Sequence, residues 1–129
     1  MIKAIADKSL KEVAYHRDHA EMWVHRLAGG TEESKRRIAD GFFYNWPYVG
    51  EMFQDWPLLD ELEGIAVRPS TLRAEWDERL NALFEETELT VPEIPQAWGG
   101  GRKGEHSEYL GYILAEMQSL ARKHPGATW

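Results

Sequence analysis

At 129 residues, with 43% hydrophobic and 29% charged side chains, the chain is one domain's worth of an ordinary globular protein, expected as a single domain over 1–129. A net charge of −7 excludes a general nucleic-acid binder, which needs a basic face to displace counterions. The absence of Cys removes disulfides, Cys-ligated zinc, iron–sulfur clusters and thiol nucleophiles together. No apolar run approaches the ~20 residues that span a bilayer and no secretory leader is visible at Met1, so the expectation is a cytoplasmic protein without a membrane partner.

The first predicted helix runs from about Ile2 to Ala28 and stops at Gly29-Gly30. Ile2, Ala6, Ser9, Val13, His16, Ala20, Trp23 and Leu27 recur in alternating steps of four and three, the seam of a helix packed in a bundle. Thr31 is a good N-cap for a second helix, with Glu32 and Glu33 suited to the positive end of its dipole. That helix carries Ile38, Phe42, Trp46, Val49 and Phe53 on one face, and Pro47 within it predicts a kink or a break. With so short a link, the two helices should form an antiparallel hairpin.

Gln54 to Arg68 reads as a connection with a short helical turn near Leu58–Leu62. Pro69 suits the first turn of a third helix, whose stripe is Leu72, Trp76, Leu80 and Leu83 or Phe84. Leu89 to Gly104 is loop. A fourth helix is expected from about His106 to Lys123, burying Leu110, Ile113, Leu114, Met117 and Leu120 and ending at Pro125-Gly126. No segment reads as a strand.

Two places could carry chemistry. Glu12 and His16 lie one helical turn apart, with His19 close by, which is raw material for a metal site. Di-iron bundles, however, use Glu-x-x-His on two helices plus two more Glu residues, and the residue three after Glu12 is Tyr15. The expectation is therefore no metal here, with Glu12 and His16 as vestigial candidates and the imidazole buried beside an acid. The second place is the loop Gly99-Gly100-Gly101-Arg102-Lys103-Gly104, where accessible backbone N–H groups and two cations precede a helix. Arg102 and Lys103 could meet a phosphate, such as those of coenzyme A, or an acidic partner surface; the plain alternative is a mobile connector. It is not a Walker A loop, since no Ser or Thr follows Lys103. Ser107, between His106 and Glu108, sits in no nucleophile elbow and reads as a helix cap.

The stretch from Gly99 to Arg122, GGGRKGEHSEYLGYILAEMQSLAR, resembles the C-terminal signature of the C subunit family of ring-1,2-phenylacetyl-CoA epoxidase. The family pattern is a Gly-rich basic loop, then Gly-x-His-Ser/Thr-Glu-x-Leu-Gly, then Leu-Ala-Glu-Met-Gln. Gly104, His106, Ser107, Glu108, Leu110, Gly111, Leu114, Ala115, Glu116, Met117 and Gln118 match it. KEVAYHRDHAEMWVHRLAGGTEES, from Lys11, resembles the family's last bundle helix and following turn. EGIAVRPSTLRAEW, from Glu63 to Trp76, resembles its connector and next helix.

The resemblance implies an all-α, ferritin-like bundle fragment of about four helices, completed by a partner chain. It implies the C-terminal half of a subunit about twice this length, starting at the fourth bundle helix. The implied role is a non-catalytic structural subunit of a bacterial complex that epoxidises phenylacetyl-CoA with molecular oxygen in phenylacetate breakdown. This chain is expected to bind no cofactor and to scaffold the catalytic A subunit, which holds the di-iron centre. An autonomous di-iron protein and a helical adaptor unrelated to oxygenation are the alternatives. The long apolar seam of the first helix further implies that the isolated chain pairs with itself as a homo-oligomer.

Overall fold

A computed structural model describes residues 2–128. Four long helices account for most of it: α1 (Ile2–Ala28), α2 (Glu32–Asn45), α3 (Arg73–Thr87) and α4 (Tyr109–Lys123). There is no strand among the described residues. The all-helical expectation holds, as does the extent of the first helix. The chain divides into two compact units, Met1–Ala97 and Trp98–Trp129.

In the first unit, α1 packs against α2 and α3. The α1–α2 corner is built locally. Thr31 adopts an extended backbone and its hydroxyl accepts the Ser34 N–H at 3.2 Å, satisfying one of the open donors of the first turn. The Ser34 hydroxyl donates to the Leu27 carbonyl at 2.7 Å, tying the end of α1 to the start of α2. Gly30 is needed for closeness: a Cβ there would lie 2.7 Å from the Ser34 Oγ and 3.0 Å from the Arg26 carbonyl.

Pro47 ends α2. The chain passes through a 3-10 turn, Trp46–Tyr48, into a short helix, Val49–Met52. In an unbroken α-helix the Gly50 N–H would donate to the Trp46 carbonyl. Here Val49 N–H takes that carbonyl. The side-chain amide of Gln96 bridges the break: its Oε1 accepts the Gly50 N–H at 2.7 Å and its Nε2 donates to the Trp46 carbonyl at 3.4 Å. The Ala97 N–H adds a bond to the Pro47 carbonyl at 2.7 Å. The segment before Ala97, which has no regular structure, is thereby pinned to the break.

The connector holds the expected short helix, Leu58–Glu61. Pro69 opens a 3-10 turn, Pro69–Leu72, rather than α-helix, and α3 follows. No local side chain caps that turn. Asp55 does so from fifteen residues away, accepting the Ser70 N–H at 3.1 Å and the Ser70 hydroxyl at 2.8 Å. α3 ends at Glu88 in the left-handed region, φ 54°, where its N–H turns back to the carbonyls of Phe84 and Glu85.

The core is small and aromatic. Phe84 of α3 is 2% exposed and meets Phe42 edge to face at 4.7 Å and Trp46 at 6.0 Å. Trp76 lies 6.2 Å from Trp46 and 5.3 Å from Phe53, and the Arg73 guanidinium covers both Phe53 and Trp76. Ala28 and Thr87 are the other buried residues described in this unit. This cluster joins α2 to α3 and leaves much of α1 uncovered. α1 is roughly 40 Å long, against roughly 21 Å for α2 and 22 Å for α3.

The second unit contains a 3-10 turn at Gly101–Lys103 and α4. α4 begins at Tyr109, later than the expected His106; Gly104, in the left-handed region (φ 85°), closes the 3-10 turn, and 105–108 lead into the helix without regular structure. Ser107 makes no side-chain cap; its carbonyl accepts the Leu110 N–H instead. The face expected to be buried is open: Ile113, Met117 and Leu120 are exposed and Leu110 is half-buried. Its apolar periodicity is real, but no element within its unit packs over it.

Two outcomes follow. Phe84→Ala removes the ring shared by Phe42 and Trp46 and should cost about 3–5 kcal/mol, read as a lowered urea midpoint. Gln96→Ala should cost about 1 kcal/mol, since it leaves the Gly50 N–H to water, while Glu93→Ala leaves the midpoint unchanged.

Candidate functional site

α1 holds the first candidate. Glu12 Oε1 lies 3.7 Å from His16 Nε2, and both side chains are about two-thirds exposed. The expectation of a buried imidazole is therefore corrected: this stretch of α1 has nothing packed over it. His19 is not drawn to them. It stacks on Tyr15 at 6.1 Å and accepts a hydrogen bond from Trp23 Nε1 at 3.1 Å. No group of three or more His, Asp or Glu side chains stands close enough to share a metal ion among the described residues.

The second candidate, the glycine-rich loop, is ordered around Gly100. Its carbonyl accepts the N–H groups of Lys103 (2.7 Å) and Glu105 (3.0 Å). Gly100 is buried, and a Cβ on it would stand 2.8 Å from that of Glu105. Arg102 and Lys103 are both exposed on the 3-10 turn. The start of α4 lies six residues past Lys103, so the cations do not adjoin the helix N-terminus as the sequence suggested.

The third place escaped the sequence reading. Between α1, α2 and α3 lies an open groove of about 280 Å³, lined by Ala20, Val24, Phe42, Trp76, Leu80 and Leu83. Its polar edge is an ion pair: Arg79 Nε donates to Glu21 Oε1 at 2.5 Å, and Nη2 to Oε2 at 2.9 Å. Hydrogen bonding from Arg79 holds the Glu21 carboxyl below the usual carboxylate range, aided by the charges of Arg79, Arg17 and His25 and opposed by burial. A second pair, His25 with Glu86 at 3.5 Å, links the same helices further along. Glu21 and Arg79 are 58 residues apart, so only the neighbouring Leu80 and Leu83 hinted from the sequence that this side of α3 faces α1.

The model of the phenylacetic acid catabolic protein family matches residues 1–129. The chain belongs to the phenylacetic acid catabolic protein family. It is 39% identical, over 134 aligned residues, to the C subunit of 1,2-phenylacetyl-CoA epoxidase from Escherichia coli strain K12. The alignment takes in 99% of this chain and 52% of that relative, so the chain spans about half the relative's length. The resemblance read from Gly99–Arg122 and Lys11–Ser34 thus extends along the whole chain of this family member. No helix among the described residues is long and apolar enough to cross a membrane.

The Glu21–Arg79 pair yields a pH dependence. Because the folded carboxyl titrates below its unfolded value, the pair's stabilisation is present above the ordinary carboxylate range and is lost as pH falls through the folded pKa. Wild type should therefore melt above Glu21→Gln near neutral pH, and the two melting curves should converge on acidification. A gap that stays constant with pH would mean that the pair's charge does not stabilise the fold.

Proposed function

We propose that this chain is a non-catalytic structural subunit of a multicomponent phenylacetyl-CoA epoxidase, supporting the catalytic A subunit that holds the di-iron centre. The observation that carries this reading is the 39% identity to an epoxidase C subunit along 99% of the chain. The chemistry of the residues supports it. Glu12 and His16 are one carboxylate and one imidazole on an open helix face, whereas a di-iron bundle converges at least four carboxylates and two imidazoles. On this reading the chain holds no resident metal or cofactor and works by surface.

Arg102 and Lys103 are assigned a contact with an anionic group, either a coenzyme A phosphate or an acidic patch of the A subunit. Their exposure on one tight turn supports this: two cations held close can meet a phosphate or a carboxylate pair.

The test is co-expression with the catalytic partner followed by size exclusion. The two chains should elute together, and Arg102→Ala with Lys103→Ala should weaken that association or, in a calorimetric titration, the binding of coenzyme A. Unchanged isotherms for both would show the turn to be a connector. Chain purified with added iron should carry well below one iron. One or more irons, lost in His16→Ala, would replace the structural reading with that of a di-iron protein.

A further inference from the structure

The segment 89–97 has no regular structure, and its hydrogen bonds lie only at its two ends. At the first end, the Leu89 N–H closes α3 on the Phe84 carbonyl at 3.0 Å. At the second, three bonds converge on the Pro47 break. Gln96 accepts the Gly50 N–H and donates to the Trp46 carbonyl, and the Ala97 N–H donates to the Pro47 carbonyl. Among the described residues, none in 90–95 makes a hydrogen bond or an ion pair.

No residue of this segment is buried. Leu89, Pro92, Ile94 and Ala97 are half-buried and the others exposed, whereas Phe84, where the first bond lands, is 2% exposed. Gln96 itself is exposed, so water competes for each of its bonds. Sparse burial and solvent-open hydrogen bonds mark a segment that opens at lower free energy than the fold it lies on. The fastening also coincides with a boundary: Ala97 is the last residue of the first compact unit and Trp98 the first of the second.

We propose that 89–97 is a releasable strap and that Gln96 is its latch. With the latch shut, the strap follows one path along the first unit. With the latch open, the second unit hangs from the end of α3 by nine residues, which span up to roughly 30 Å when extended. The Arg102–Lys103 turn and the open face of α4 are then carried on that tether. Gly50 shows how closely the latch is fitted. A Cβ on it would stand 2.5 Å from the Gln96 Oε1, so Gly50→Ala evicts the amide without altering Gln96. The inference concerns the fold of the first unit and is independent of the scaffolding role proposed above.

A Glu-specific endopeptidase, applied to the full chain, reads the opening. Glu93 is exposed in mid-strap, and cleavage after it requires the flanking chain to come free. The rate of the cut between Glu93 and Ile94, followed by mass spectrometry at low protease, tracks the population of the open form. That rate should rise roughly fivefold in Gln96→Ala, the factor that one lost hydrogen bond corresponds to. It should rise by a similar factor in Gly50→Ala, although Ala favours the short helix and holds the urea midpoint near that of wild type. In wild type the rate should be nearly flat in low urea, because strap opening exposes little surface, whereas global unfolding would make it climb steeply. Equal rates in all three chains, or rates that follow the urea midpoint instead of the latch, would overturn the proposal and leave 89–97 a fixed part of the first unit.

Discussion

The fold of the first unit depends on the burial of one aromatic ring. Phe84 is 2% exposed in a structure where Ala28 is the only other hydrophobic residue described as buried. Its neighbours, Phe42 and Trp46, come from α2 and the turn that follows it, and Trp76 and Phe53 extend the cluster. Edge-to-face and tilted rings suit such a core, because large planar side chains remove much surface from water with few rotatable bonds. The six Trp residues are thus partly explained. Trp46 and Trp76 build the cluster, whereas Trp23 sits half-exposed on α1 and Trp98 is almost fully exposed.

Around that cluster the backbone is irregular, and long-range polar bonds offset the irregularity. Pro47 breaks the helix that carries Phe42 and Trp46 on one side and Phe53 on the other. The break lets Phe53 reach Trp76; Gln96, 46 residues away, accepts the open Gly50 N–H and adds a second bond to the Trp46 carbonyl. Pro69 leaves a turn with no local cap, and Asp55 supplies one. In both cases a proline shapes the route of the chain and a distant side chain satisfies the backbone groups it exposes. That is how a connector with little regular structure can hold a defined path between α2 and α3.

Features set by near neighbours were legible in the sequence. The α1 stop at Gly29-Gly30, the Thr31 cap, the Pro47 break and the short Leu58–Glu61 helix each follow from a few adjacent residues. Features set by distant partners were not. Nothing near Gln96 or Glu21 names Trp46 or Arg79, and a groove between three helices has no local signature. Two readings failed for one reason. His16 and the apolar face of α4 were placed inside a core because their spacing is that of buried positions, yet periodicity reports which side is apolar and not whether anything covers it. The Gly99–Gly104 turn lay between these cases: its glycines marked a bend, but not how far beyond it α4 would begin.

The bare half of α1 raises a question of its own: what keeps it helical. A lone helix shorter than about 12–15 residues is marginal in water even when rich in Ala, and most helices owe their stability to packing, because nucleation is costly and only propagation is favourable. α1 avoids nucleation, since its last turns are already fixed by Ser34 on Leu27, by Arg79 on Glu21 and by His25 on Glu86. From that packed end the helix needs only to propagate toward Ile2. Exposed contacts one turn apart favour each step: Trp23 on His19, His19 against Tyr15, Glu12 with His16, and Lys3 donating to Asp7 at 2.7 Å. Such pairs contribute only about 0.2–0.5 kcal/mol each, yet they run almost the whole length of the uncovered stretch. Any chain that covers the seam therefore meets a helix already formed. The backbone ordering that would weaken association with a disordered segment has been met within the fold itself, and the apolar surface from Ile2 to Ala20 is presented at its full extent.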